Sequence, residues 1–272
     1  MQTPARAVGV LGGGQLGRML ALAGPPLGLR VVGLDPNPQA PMAAVAPMVP
    51  ATAFDDPQAL DALAAQVDVV TWEFENVPVA AAERLARQVP VYPAPRALQI
   101  AQDRLPEKRF FRELGVPTAP FAPIGGPADF PAALATTGLP ALLKTRRLGY
   151  DGKGQRWVHR PDDLPAAFAA LGGVPCLLEG AVPFERELSV LAARGRDGGV
   201  RTFPLTWNTH RDGILARSVA PAPACPPALQ AAADALAAAI CHGHGRATHL
   251  AIELFQVGDA LWVNEIAPRV HN

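Results

Sequence analysis

"VGVLGGGQLGRML", residues 8–20, joins an apolar run to a glycine turn and the start of an amphipathic stretch. Gly12, Gly14 and Gly17 fit G-x-G-x-x-G, and Asp35 follows Gly17 by 18 residues, close to where an acid reading a ribose would stand at the end of a second strand. Taken alone, the pattern reads as a dinucleotide site. The same glycines serve wherever a strand turns sharply into a helix and an anionic group is held on exposed backbone N–H groups. The surrounding chain has to decide between the two.

Around this turn, residues 6–11 and 30–34 read as buried parallel strands with a helix over 15–23 between them. "VDVVTWEF" (67–74) reads as a further strand, with helices near 57–66 and 78–88. Residues 1–95 thus form an open, Rossmann-like α/β unit, and "PVYPAPRAL" (90–98) reads as a linker. Beyond it, 103–114 reads as a short charged helix and "LPALLKTRR" (139–147) as a strand entering the polar loop "RLGYDGKGQRWV". A helix near 162–171 and strands at 175–179, 185–193, 200–206 and 213–219 make this region α+β. Ala-rich 226–243 is a helix, and "HLAIELFQVGDALWVNEIAP" a hairpin turning at Gly258-Asp259.

Composition narrows the classes of function. The chain has 272 residues, long enough for one large or two to three small domains. Its 24 basic and 24 acidic residues cancel, and no local basic patch stands out, which argues against nucleic acid as a partner. No apolar run approaches the ~20 residues of a membrane span, and no leader-type segment opens the chain, so a soluble, cytoplasmic protein is expected. Cys176, Cys225 and Cys241 show no C-x-x-C pairing and read as reduced thiols. "CHGHG" (241–245) reads as a helix-ending turn, because a closed zinc site needs four ligands. Trp157, Trp207 and Trp262 read as core or interface packing.

The hairpin carries the strongest chemical pattern. Pairing about Gly258-Asp259 sets Glu253 nearly opposite Glu265, with Asn264 beside it. Two opposed carboxylates repel unless a cation lies between them, and a hard divalent metal bridging phosphate oxygens suits such a pair. They could equally be solvated strand residues. Lys144 at a strand end, followed by Gly149-Tyr150-Asp151-Gly152-Lys153-Gly154-Gln155, can place one charge and several N–H donors around a polyphosphate, or can be a plain hairpin turn. In "LLEGAVPFERE" (177–187) the strand end could grip an adenine edge and Glu187 accept from ribose hydroxyls.

Lys144, "GYDGKGQ", "LLEGAVPFERE", "PLTWNTHRDGILARSVAP", "AIELF" and "VNEIAPRVHN" stand in the order and spacing of the ATP-grasp ligases. Within them the chain resembles the ATP-dependent family that carboxylates 5-aminoimidazole ribonucleotide in purine biosynthesis, and the similarity runs from "GVLGGGQLGRML" to the last residue. The resemblance implies a substrate-binding pre-ATP-grasp domain over 1–95 and an ATP-grasp domain over 96–272, with a lid at about 118–182. It implies that Gln15, Leu16 and Glu73 bind the ribonucleotide, with Asp35 merely a sheet-end residue.

For the nucleotide, it implies that Arg104 and Lys144 contact phosphates and that the loop from Gly149 to Gln155 folds over them. Glu179, Gly180, Ala181 and Val182 would present the adenine-reading backbone, Glu187 would hold the ribose, and His210 would line the site. Glu253 and Glu265 would bind Mg²⁺ or Mn²⁺, accompanied by Asn264. Arg269, His271 and Asn272 would surround bicarbonate or carboxyphosphate, while Tyr150 and Asp151 close over the imidazole substrate. A homodimer is also implied. Leu148 stands where the family has a glycine, and relatives continue past "PRVHN", so the chain reads as C-terminally incomplete. A formate-dependent glycinamide ribonucleotide transformylase, a nucleotide-binding but inactive fragment, and a dehydrogenase are the alternatives.

Overall fold

The protein was analysed as a computed structural model that describes residues 7–149, 153–211, 213–245 and 248–271. Its first unit runs β1 (Ala7–Leu11), α1 (Gln15–Ala23), β2 (Arg30–Leu34), β3 (Met48–Val49), α2 (Pro57–Ala64), β4 (Val69–Trp72) and α3 (Val79–Ala86). The strands form a parallel sheet in the order β3-β2-β1-β4. Both faces are covered, which is why these strands are apolar without alternation. Leu11, Leu34, Leu60, Leu63, Val70, Trp72 and Leu85 fill the core on one side, each contributing about 1.5–3 kcal/mol by leaving water.

The stretch read as a linker is structured. Val91 bridges to Val70 and α4 (Pro95–Ala101) starts inside it, Pro95 taking the first helical position where no N–H is needed. Leu98 enters the first core while Ile100 enters the next, so α4 is the seam between the two. The helix α5 (Arg104–Glu113) follows at once, capped by Asp103 on the Leu105 N–H.

A second sheet holds β5 (Phe121–Ile124), β6 (Ala141–Thr145), β7 (Gln155–Val158) and β8 (Cys176–Gly180) in the order β5-β8-β6-β7, all antiparallel. The helices α6 (Phe130–Thr137) and α7 (Asp163–Ala170) close it around Leu143, Leu164, Phe168 and Leu178. β7 is an edge strand, and Trp157 on it is 54% exposed and stacked on His159, which excludes the core half of the core-or-interface expectation.

The third sheet holds β9 (Arg186–Arg194), β10 (Val200–Thr202), β11 (Thr206–Arg211), β12 (Ile214–Val219), β13 (Thr248–Val257) and β14 (Ala260–Ala267). Its order is β12-β11-β9-β13-β14, with β10 also on β9, and α8 (Pro227–Gly243) packs across it through Ala233, Ala237, Ile240 and Cys241. The expected single strand over 200–206 is two strands, because Pro204 has no N–H for a ladder and breaks the run. α8 ends at "CHGHG", with Cys241 in the core and His244 buried against Phe110. Among the described residues, no helix is long and apolar enough to cross a membrane.

Candidate nucleotide and carboxylation site

The glycine turn is occupied from within. Glu73, just past β4, accepts from Gly14 N (2.5 Å) and Gly17 N (2.6 Å), filling the N-terminus of α1 where a dinucleotide would place its pyrophosphate. Gly12 adopts φ +96°, and a Cβ there would come within 2.5 Å of Glu73 Cγ. A Cβ on Gly17 would approach Gly12 O to 2.8 Å. The glycines therefore serve a close approach of protein to protein. Asp35, which accepts from Gly13 N at 2.8 Å, braces the same turn at the end of β2.

A cleft of about 280 Å³ opens where the second and third sheets meet the first unit. Of the residues expected at the nucleotide it gathers Arg104, Lys144, Gly149, Lys153, Gln155, His210, Asn264 and Glu265, but not Gly154, Glu179, Gly180, Ala181, Val182 or Glu187; Glu253, expected at the metal, and Arg269 and His271, expected at bicarbonate, also line it. Glu75, Asn208, Gly213 and Leu215 join them without having been anticipated. Gln15, Leu16 and Glu73 lie outside this lining, and Glu73 is 7% exposed with its carboxylate committed to the turn. Tyr150, Asp151, Gly152 and Asn272 lie outside the described residues.

The hairpin pairs Glu253 with Glu265, as its turn predicts. At the next step the register shifts to Leu254 opposite Val263, which leaves Asn264 as the extra residue of a β-bulge. A bulge re-aims side chains, and here the consecutive Asn264 and Glu265 both reach the cleft with Glu253. Arg104 donates to Glu265 at 2.5 Å, and His271 lies 3.5 Å from Glu253. Burial raises the Glu265 carboxyl, but Arg104 first, then Lys144, outweigh it and hold it below the usual carboxylate range. Asn264 Oδ1 is buried without a hydrogen-bond partner. Two opposed carboxylates beside an unclaimed amide oxygen form an all-oxygen donor set, which a hard divalent cation fits. Among the described residues, no group of three or more His, Cys, Asp or Glu is placed to hold a metal. Phosphate oxygens and water would have to complete the coordination.

On the opposite wall, Lys144 at the end of β6 donates to Glu179 Oε2 at 3.0 Å, and Lys108 Nζ stands 3.5 Å from the same oxygen. Desolvation would raise Glu179, yet Lys108 and Lys144 hold it down to about 2. The Glu179 side chain is thus a buried anchor for two lysines. Gly180 N and Ala181 N are spent on the Pro120 and Pro140 carbonyls, so a base edge would be read by the remaining backbone groups of Ala181 and Val182. Glu187 pairs with His210 across β9 and β11, and burial pushes its carboxyl up.

The glycine loop leaves β6 and returns in β7, its neck fixed by Thr145 N donating to Gly154 O at 2.8 Å. Leu148 has φ +63° and is 74% exposed, so the loop keeps a left-handed backbone at a non-glycine residue. Above the cleft, Arg269 pairs with Glu75, and the Trp72 indole N–H donates to Pro268 O at 2.7 Å. These contacts fasten the residues after β14 to the loop after β4. On α5, Glu107 and Lys108 are 2% and 1% exposed, and burial, then Glu265, push the Glu107 carboxyl up to about 8.

Comparison with known proteins shows the family and the fold. A ribonucleotide synthetase preATP-grasp domain model matches residues 5–102, and an ATP-grasp domain model matches 109–272. An N5-carboxyaminoimidazole ribonucleotide synthase of Pseudomonas aeruginosa is 50% identical over 97% of this chain and 72% of its own length. The crystal structure of the synthetase of that name from Thermus thermophilus is 52% identical, with a TM-score of 0.91 over 97% of this chain and 71% of that one. A synthase from Aspergillus clavatus, solved in complex with ADP and 5-aminoimidazole ribonucleotide, is 31% identical with a TM-score of 0.87, covering 98% of this chain and 70% of that one.

Fold and cleft together define an ATP-grasp ligase joined to a pre-ATP-grasp domain. Within that class, the chain belongs to the N5-carboxyaminoimidazole ribonucleotide synthase family.

Proposed function

We propose that this chain carboxylates 5-aminoimidazole ribonucleotide with bicarbonate at the expense of ATP, giving N5-carboxyaminoimidazole ribonucleotide, ADP and phosphate. The observation that carries the reading is the convergence of Lys144, Arg104, the glycine-loop neck and the Glu253–Asn264–Glu265 bulge on one cleft. A relative's complex with ADP and the aminoimidazole ribonucleotide supports the choice of ligands.

In this reading the triphosphate lies between the β6–β7 loop and the hairpin, with Lys144 on its phosphates and Arg104 beside Glu265. Mg²⁺, held by Glu253, Glu265 and the Asn264 amide oxygen, would supply neutralisation of the phosphate oxygens. A bicarbonate oxygen attacks the γ-phosphorus and ADP leaves, which gives carboxyphosphate. The exocyclic amine then attacks the carboxyl carbon, or the CO₂ released from it; phosphate leaves and the nitrogen loses a proton. Arg269 and His271, which line the cleft, would hold the carboxyl intermediate, and Arg suits that task because its planar fork stays charged. Positioning and electrostatics carry such a reaction. Exclusion of water protects its labile intermediate.

Phosphate release at fixed Mg²⁺ tests the reading. Release should require bicarbonate and rise with the ribonucleotide, whereas formate in place of bicarbonate should support none.

A further inference from the structure

β14 is the outer strand of its sheet, and the Pro117–Thr118 segment meets its outer row of backbone groups at Val263, short of Glu265. The two groups that flank Glu265 on that side are met by consecutive side chains of α5. Lys108 Nζ donates to the Asn264 carbonyl at 2.7 Å, and Ile266 N donates to Glu107 Oε1 at 2.8 Å. Thr118 steadies the lysine: its Oγ1 accepts from Lys108 Nζ at 3.1 Å and donates to Val263 O at 2.8 Å. Both α5 side chains are almost fully buried, an expensive placement for ionisable groups even with Glu179 facing the Lys108 charge at 3.5 Å, and one that an ordinary sheet edge does not need. The bulge explains it: an extra residue leaves the ladder locally open, and the backbone on either side of Glu265 would otherwise be free to choose its torsions.

We propose that Glu107 and Lys108 are positioning residues that fix the Asn264–Glu265 bulge in the geometry that binds the divalent cation. This rests on the reading of Glu265 as a ligand of that cation. Lys108 sets the Asn264 peptide and Glu107 the Ile266 peptide, so the pair pins the backbone immediately before and after the metal-facing side chain. Neither residue is among those lining the nucleotide cleft. Their effect should appear in metal affinity before metal-free nucleotide affinity.

The experiment compares ADP binding by calorimetry with and without Mg²⁺, together with the Mg²⁺ dependence of phosphate release, for Lys108→Met, Glu107→Leu and Glu107→Gln. Lys108→Met and Glu107→Leu should raise the half-saturating Mg²⁺ concentration ~10-fold or more, as loss of groups that orient metal ligands does. Metal-free ADP binding by the Glu107 variants should stay within about twofold of wild type, and Glu107→Gln, which keeps an oxygen for the Ile266 N–H, should restore the metal dependence. Unchanged Mg²⁺ dependence in the folded variants overturns the proposal, as does metal-free ADP binding by the Glu107 variants that falls in the same proportion. Thr118→Val is the milder variant should the others not fold: it must shift Mg²⁺ dependence in the same direction, and no shift is equally fatal. Glu265→Gln, run alongside, separates the premises. If it keeps wild-type Mg²⁺ dependence, the assignment of Glu265 as ligand is what fails.

Discussion

Glu73 closes the glycine turn of α1 by accepting from Gly17 N at 2.6 Å, 56 residues earlier in the chain. The helix terminus that reads as a nucleotide cradle is neutralised by the protein's own carboxylate. Replacing Glu73 by Gln turns one acceptor oxygen into an N–H donor aimed at a backbone N–H. Loss of a buried charged acceptor of this kind should destabilise the protein by about 2–3 kcal/mol, read as a lower urea midpoint at unchanged slope. NADH should protect neither protein from unfolding.

That contact also shows where sequence reading stops. The strand–turn–helix was legible from residues 8–20 because its glycines and apolar run are local, whereas the group it binds comes from β4 and carries no local mark. The hairpin register was legible because a period of two fixes the partner of Glu253 once the turn is placed. The bulge at Asn264 was not, since nothing in "WVNEIA" announces an unpaired residue. The helix "RLPEKRFFRE" reads as a short charged helix, and its pattern does not show that Glu107 and Lys108 are buried, which follows from α5 packing against the outer edge of β14. The extent of β11 is hidden for a related reason: "TWNTHR" follows a proline and is largely polar, and its polar side chains Asn208 and His210 line the cleft.

Leu148 holds a left-handed backbone with its side chain in solvent. A non-glycine residue there costs roughly 1–2 kcal/mol, while glycine would add about 0.5–1 kcal/mol of unfolded-chain entropy. Leu148→Gly should therefore stabilise the protein by about 0.5–1 kcal/mol in chemical denaturation. Leu148→Val, β-branched, should destabilise it, and equal stability of the two variants would contradict the assigned conformation.

Glu179 joins Lys144 and Lys108 in one buried cluster, and removing it leaves two ammonium groups facing each other. Glu179→Gln should cost about 3–5 kcal/mol, the usual penalty of an uncompensated buried charge. A double variant that also carries Lys108→Met should recover part of that loss, which a double-mutant cycle measures.

Burial pushes the His244 imidazole down to about 4, and both its ring nitrogens lack partners. Unfolding exposes it to its ordinary value of about 6.5, so the unfolded chain takes up the proton first as the solution is acidified. The stability present above about pH 6.5 is lost progressively towards pH 4, by up to about 3 kcal/mol from this group. Thermal melts of His244→Leu should lose less between pH 7 and pH 5 than wild type does.

The central claim is that one cleft, built by the β6–β7 loop and the bulged hairpin, couples ATP cleavage to carboxylation of the ribonucleotide. Phosphate release from ATP at fixed Mg²⁺ and bicarbonate, with and without 5-aminoimidazole ribonucleotide, tests it in wild type and Glu265→Gln. The account predicts release that rises with the ribonucleotide and is abolished by the substitution. Release indifferent to the ribonucleotide, or retained by Glu265→Gln, would contradict it.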